Sequence, residues 1–270
     1  MLPLVLNFLS PQSKSLRVNA AKRASRMLII NADDWGHDAH TTTRALTCVE
    51  RGSVSSVSAM VFMEDSERAA AVARERGIDA GLHLNLDTPF SKVPVTSNLA
   101  EHQARLARFL HSPFSRPFFH PTLVRSFEYV VSSQLAEYER LYGTPPRRID
   151  GHHHLHLAAN VLFGGLLPRG TILRPHFSRE PGEKRIRNSI FRFYTKLIPQ
   201  RSHRTVDGLF ALPPLEPKRL LQIFSRSREI AIEVETHPIN PVEFEFLTGG
   251  ALFRLLGDIP LSRHHLPVPA

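Results

Sequence analysis

The chain has 270 residues, 42% hydrophobic and 22% charged, which suits one large α/β domain with a sizeable core and excludes wholesale disorder. No apolar run is long enough for a membrane span. The formal charge of +9 comes mainly from arginine, 28 of the 34 basic residues, scattered rather than gathered with aromatics into a stripe, which argues against a nucleic-acid track.

Such a surface still suits anionic glycans, lipids or nucleotide sugars. The lone cysteine, Cys48, excludes an intramolecular disulfide, reads as a small core residue and favours a reducing, cytoplasmic setting. Residues 1–26 open on an apolar patch, Leu2 to Leu9, followed by a polar, basic tract. A signal peptide has its positive charge first, so this stretch reads as a flexible extension, or as a start codon assigned too far upstream.

Residues 27–270 then read as one domain. Leu28 to Ile30 form a short buried strand that ends in a turn over Asn31 to Gly36. Next come a helix over Thr41 to Arg51, stopped by Gly52, and a strand over Val57 to Phe62. A helix over Ser66 to Arg76, stopped by Gly77, and a strand over Ile78 to Leu84 complete a βαβαβ unit, the signature of a mostly parallel sheet. Asp87 to Pro121 look like an excursion over the sheet edge, around one helix at Leu99 to Leu110. The long helix Thr122 to Tyr142 carries an apolar stripe from Leu123 to Leu141. Strand ends follow at Arg148 to Asp150 and Thr171 to Arg174. Pro175 to Pro217 are irregular and basic. Helix Lys218 to Arg228, strand Glu229 to Val234 and closing helices between Phe244 and Leu256 finish the domain.

Four strand ends carry polar residues unsuited to an apolar core: Asn31-Ala32-Asp33-Asp34, Gly81-Leu82-His83-Leu84-Asn85, Asp150-Gly151-His152-His153-His154-Leu155-His156, and Glu235-Thr236-His237-Pro238. In a parallel sheet these ends converge on one rim. One carboxylate with two imidazoles and open positions is the ligand pattern of a catalytic divalent metal such as Zn, Mn, Co, Ni or Fe. A second carboxylate beside it suits metal-assisted hydrolysis, as base for the attacking water, with His237 as proton donor to a leaving amine. The plainer readings are an Asp-Asp cap on the following helix and a surface metal-scavenging tract at His152 to His156. The same ligand types also fit a non-haem iron oxygenase, although those enzymes favour antiparallel folds.

These segments resemble the YdjC-like carbohydrate deacetylases, the group that includes chitooligosaccharide deacetylase and the hopanoid-associated HpnK proteins. The opening motif is Leu28 to Gly36, with Trp35 where phenylalanine is usual. The others are Gly81 to Leu86, Ile149 to His156, with Gly151 for the usual serine, and Val234 to Pro238. Asp207 to Phe210 is similar to a weaker segment. The resemblance implies a distorted (β/α) barrel-like fold with mostly parallel strands, one divalent ion (Mg, Zn, Co, Ni or Mn), and a homodimer. It implies Asp33 as base, Asp34, His83 and His152 as metal ligands, and His237 near the leaving group. The substrate implied is an N-acetylated amino sugar of an oligosaccharide, polysaccharide precursor or glycolipid, the last with peripheral membrane contact. Arg174 is a candidate to clamp substrate or to salt-bridge a rim carboxylate, and Trp35 to stack on a sugar ring or pack. His154 and His156 are candidates to support a ligand from behind, because period two puts them on the His152 face. Ile239 replaces the glycine usual after His237-Pro238, a change that would reshape that loop and leave an inactive carbohydrate-binding relative as the alternative.

Overall fold

The computed structural model describes residues 26–92, 95–112, 115–180 and 202–264, so the extension expected over residues 1–26 lies outside it except for Arg26. β1 (Met27–Trp35), α1 (Ala39–Glu50), β2 (Ser56–Ala59), α2 (Ser66–Arg76) and β3 (Ala80–Leu84) form the expected βαβαβ unit. α3 (Ser97–Leu110), α4 (Val124–Tyr142) and β4 (Arg148–Gly151) extend it. A 3-10 turn (His152–Leu157), α5 (Ala159–Phe163), β5 (Ile172–Leu173) and β6 (Gly208–Ala211) follow. α6 (Pro217–Arg226), β7 (Ala231–Thr236), α7 (Pro241–Thr248) and α8 (Ala251–Leu256) complete the order. Local chemistry sets the ends: Asp38 and Thr96 accept backbone N–H bonds at the starts of α1 and α3, and left-handed Gly77 and Gly143 end α2 and α4.

All strand pairs are parallel, in the order β5-β4-β3-β2-β1-β7-β6. The sheet curls until its edges meet. Residues 202–209 run beside 170–178, with Gly170 N–H donating to Ser202 O at 2.8 Å, Leu173 N–H to Arg204 O at 2.8 Å and Ser178 N–H to Leu209 O at 2.8 Å. The result is a seven-stranded, distorted barrel with an irregular seam between β5 and β6. No helix among the described residues is long and apolar enough to cross a membrane.

Period-two alternation divides the side chains. Leu28, Ile30 and Ala32 of β1, Val57 and Ala59 of β2, Leu82 and Leu84 of β3, and Ile232 and Val234 of β7 join the main apolar core with the helices. The intervening residues face the other way and fill the interior with polar groups: Asn31, Asp33, Ser56, Ser58, His83, Arg148, Asp150, Glu233 and Glu235, all buried. Met27, Ile29, Val206 and Ala231 close the N-terminal end of the interior as a small apolar plug.

Several elements differ from expectation: β1, expected to end at Ile30 in a turn over Asn31 to Gly36, continues as a bulged strand to Trp35. The strand expected to run to Phe62 stops at Ala59, and Phe62 is left-handed with φ 60°. β6 lies within the stretch read as irregular, because four residues between prolines carry too little period to register. α5 was also not anticipated; it has five residues.

Gly81 lets Arg148 cross the interior, since a Cβ there would come within 2.7 Å of the guanidinium carbon. Gly81→Ala is expected to destabilise the fold by about 1–3 kcal/mol, the usual cost of overpacking, measured as a lower urea midpoint with unchanged slope.

Candidate active site

The rim is shaped first by β1. Ala32 pairs with Val57 and Trp35 with Ala59, so Asp33 and Asp34 occupy the length for which β2 uses Ser58 alone. This bulge places Asp34 at φ 65°, a conformation aspartate tolerates better than most residues. Both carboxylates therefore reach one site from adjacent positions. They do not cap α1; Asp38 does, accepting from Thr41 N–H at 2.8 Å.

Asp34, His83 and His152 each offer one ligand atom, and these atoms lie within 4.8 Å of one another. Asp34 Oδ1 is 3.4 Å from His83 Nε2 and 3.0 Å from His152 Nδ1. Despite these distances, Asp34 Oδ1 and His83 Nε2 are buried atoms without an aligned hydrogen bond. Two orphaned donor atoms facing one point beside a second imidazole fit a divalent cation. Behind them, His83 Nδ1–H donates to Asp150 Oδ1 at 2.6 Å, the carboxylate–histidine arrangement that orients a metal-binding ring. Asp150 Oδ2 in turn accepts from Ser58 Oγ and Arg148 Nη1, both at 2.6 Å.

Arg174 stands under the rim and is 1% exposed. Its guanidinium grips Asp33 with two bonds of 2.7 Å, donates from Nε to Glu233 at 2.7 Å, and lies 3.1 Å from Glu235 and 3.4 Å from Asp150. Of the two readings for Arg174, the geometry gives the salt bridge to a rim carboxylate; the side chain is enclosed by acids rather than open to substrate. Asn31 Nδ2 adds a 2.7 Å bond to Asp33 Oδ1, whereas Asp33 Oδ2, on the His83 side, accepts one bond among the described residues.

The charges interlock. Burial opposes charge on Asp34, but the adjacent His152 and His83 imidazoles hold its carboxyl far below the usual carboxylate range. Burial likewise opposes the His83 imidazolium, yet the Asp33 charge, the bond to Asp150 and the neighbouring Asp34 carboxylate raise it to about 10. Asp150 is held low against burial by Arg174, His83 and Arg148. Glu235 goes the other way, pushed up by burial and then by the Asp33 charge.

His237 joins Asp33 and Glu235 in a second group whose ligand atoms lie within 4.8 Å. Its loop uses no left-handed backbone at Ile239. Instead Glu243 accepts from His237 N–H at 2.9 Å and Thr236 Oγ1 at 2.6 Å, while Arg44 donates to Ile239 O at 2.9 Å. His154 Nε2 is 3.5 Å from Glu235, and His156 Nε2–H donates to Arg174 O at 2.9 Å. They do not share a strand face with His152, because the chain turns left-handed at His153 and His154. Gly151 permits that turn to close, since a Cβ there would come within 2.9 Å of His156 N. Trp35, a candidate to stack on sugar, is instead wholly buried and donates from Nε1 to Ala69 O at 3.1 Å, so it packs in the core. Sequence reading missed Asp150, Glu233, Glu235, Arg148 and Ser58 as site residues; the available signal was polar residues at alternate positions in otherwise apolar strands.

A parallel barrel-like sheet with a metal-competent Asp-His-His rim and a further carboxylate beside it defines the class. Within that class, a sequence model of the YdjC-like protein family matches residues 27–242, and the chain belongs to that family. The chain is 31% identical over 144 residues to a chitooligosaccharide deacetylase of Serratia marcescens, covering 50% of this chain and 53% of that one. It is 27% identical over 161 residues to a carbohydrate deacetylase of Mus musculus, covering 58% and 51%. The chain thus spans about half the length of the curated relatives it matches. A solved Enterococcus faecalis V583 protein, provisionally assigned to cellobiose-phosphate cleavage, shares the fold with a TM-score of 0.62 at 19% identity, over 90% of this chain and 98% of that one.

The His83 proton has a measurable consequence. Because folding raises its value from 6.5 to about 10, the stability it contributes is complete below pH 6.5 and is lost as pH rises through 10. The metal-free protein is expected to melt progressively lower across that window by scanning fluorimetry. His83→Gln should melt lower at pH 7 and show a shallower slope.

Proposed function

We propose that this protein is a metal-dependent hydrolase that removes the acetyl group from an N-acetylated amino sugar. The observation that carries the reading is the convergence of Asp34, His83 and His152 with two of their ligand atoms orphaned and Asp33 alongside. The likeness to the Serratia chitooligosaccharide deacetylase and the mouse carbohydrate deacetylase supports it. Bound by these three side chains, a divalent ion would polarise the amide carbonyl and acidify an attacking water.

The remaining work falls to the chain's own groups. Asp33 Oδ2 takes the proton of the attacking water, and Arg174 with Asn31 fixes the carboxylate's orientation while it does so. His237, held by Glu243 and lying beside Asp33 and Glu235, supplies a proton to the departing sugar amine. Asp150 keeps His83 in the tautomer that presents Nε2 to the site. Oligosaccharides, polysaccharide precursors and glycolipids all present the required N-acetyl group. The same reading places the protein in the cytoplasm as a homodimer, checked by fractionation and light scattering.

The test is acetate release from a panel of N-acetylglucosamine-containing oligosaccharides by metal-stripped protein reloaded with Zn, Co, Ni, Mn or Mg. Release should require metal and fall by about 10²–10⁴-fold in Asp33→Asn, the range expected for loss of a general base. Metal binding without release from any sugar would favour the carbohydrate-binding relative, and oxygen consumption would favour the oxygenase.

Ligation needs a neutral His83, so metal binding near pH 7.5 should release roughly one proton, read by calorimetry in buffers of different ionisation enthalpy. His83→Gln should abolish that release. An unchanged release would remove His83 from the ligand set.

A further inference from the structure

The buried network does not end at Arg174. Glu233 uses Oε1 to accept from Arg174 Nε at 2.7 Å, and its other oxygen, Oε2, accepts from His264 Nε2–H at 3.1 Å. Among the described residues no other hydrogen bond reaches Oε2. His264 comes from a segment that crosses under the N-terminal end of the barrel. Leu261 bridges Leu28, Ser262 N–H donates to Leu28 O at 2.7 Å, and His264 N–H donates to Asp79 Oδ2 at 2.9 Å, just ahead of β3. The imidazole itself is buried, with 2% of its side chain exposed. This segment lies beyond residue 242, where the family match stops.

The contacts form one line through the barrel: His264, Glu233, Arg174, Asp33. Each partner is almost fully enclosed, so none can exchange its bond for one to bulk water. A carboxylate buried beside a cation is oriented by whatever donors it has. With a donor on each oxygen, Glu233 cannot rotate without breaking a charge-assisted bond. Were the lower donor absent, Glu233 could turn toward Arg148 or draw Arg174 downward, and the two-bond grip on Asp33 would loosen.

We propose that His264 is a positioning residue for the site at the opposite end of the barrel, fixing Asp33 through Glu233 and Arg174. The inference rests on the deacetylase reading for its kinetic consequence, but its geometric content stands apart from it. Outer partners of this kind are typically worth about 10–100-fold in activity, and His264 is expected near the lower bound because two residues intervene.

The test uses the full chain with three substitutions, His264→Ala, His264→Gln and His264→Asn. Glutamine carries an amide N–H near the position of Nε2, whereas the asparagine amide stops short of Glu233. In acetate release, His264→Ala and His264→Asn should lower kcat about tenfold with KM changed less than about twofold, and His264→Gln should recover most of the loss. Crystal structures should show one of the two Arg174–Asp33 bonds lengthened in the alanine and asparagine variants and both restored with glutamine. If His264→Ala does not fold, the asparagine and glutamine pair carries the comparison. Unchanged kcat in a folded alanine or asparagine variant, a glutamine variant no better than alanine, or intact Arg174–Asp33 bonds in all three would overturn the proposal. If the wild type releases acetate from no sugar under any metal, the deacetylase reading fails, and the crystallographic comparison still decides the role of His264.

Discussion

A single guanidinium holds the interior of this barrel together. Asp33, Asp150, Glu233 and Glu235 all lie within 3.4 Å of Arg174, and all four are buried. Burying four carboxylates without a cation would cost several kcal/mol each, and removing one partner of such a cluster usually costs about 3–5 kcal/mol. Arg148 and the imidazolium of His83 share the load, but Arg174 alone bonds Asp33 and Glu233 together. The interior thus adds little net stability, and the main core between sheet and helices supplies the fold with most of its hydrophobic gain. What the polar interior provides is orientation. Each acid at the rim is fixed by donors that are themselves fixed, so the groups facing the site need not reorganise when charge shifts.

The division of labour follows from strand parity. A strand that is apolar on both faces would pack as well or better, yet in β1, β2, β3, β4 and β7 every second residue near the rim is polar. The polar set is legible in the amino-acid order: Asn31 and Asp33, Ser56 and Ser58, Arg148 and Asp150, Glu233 and Glu235. Reading the strand ends found the residues that converge, including Asp33, Asp34, His83, His152 and His237, because convergence depends only on parallel strands. It could not find which groups pair across the interior, since Arg174 meets Asp33 across 141 positions and nothing local records the match.

Local departures from regular geometry account for the other misreadings. The bulge at Asp33 and Asp34 shifts the parity of β1, so Trp35 turns into the core between sheet and helices, not into the polar interior. Two consecutive left-handed residues, His153 and His154, remove the chain from any strand period, so His156 comes to rest against the Arg174 carbonyl. β6 was obscured by its brevity and by its proline-bearing flanks. The loop that carries His237 and Ile239 is held instead by side-chain partners, Glu243 on His237 N–H and Arg44 on Ile239 O.

The seam between β5 and β6 separates two kinds of wall. From β4 round to β1 and β7 the strands are tied by parallel ladders, interrupted by the bulge of β1 against β2, and the Asp-His-His trio is mounted on that arc, with His152 directly after β4. At the seam a few bridging bonds, from Gly170 to Ser202, Leu173 to Arg204 and Ser178 to Leu209, replace a ladder. A segment inserted or deleted there changes no strand register. A change of length on the seam side therefore leaves the spacing of Asp34, His83 and His152 unaltered, because the seam and the arc that carries those three are different sectors of one sheet.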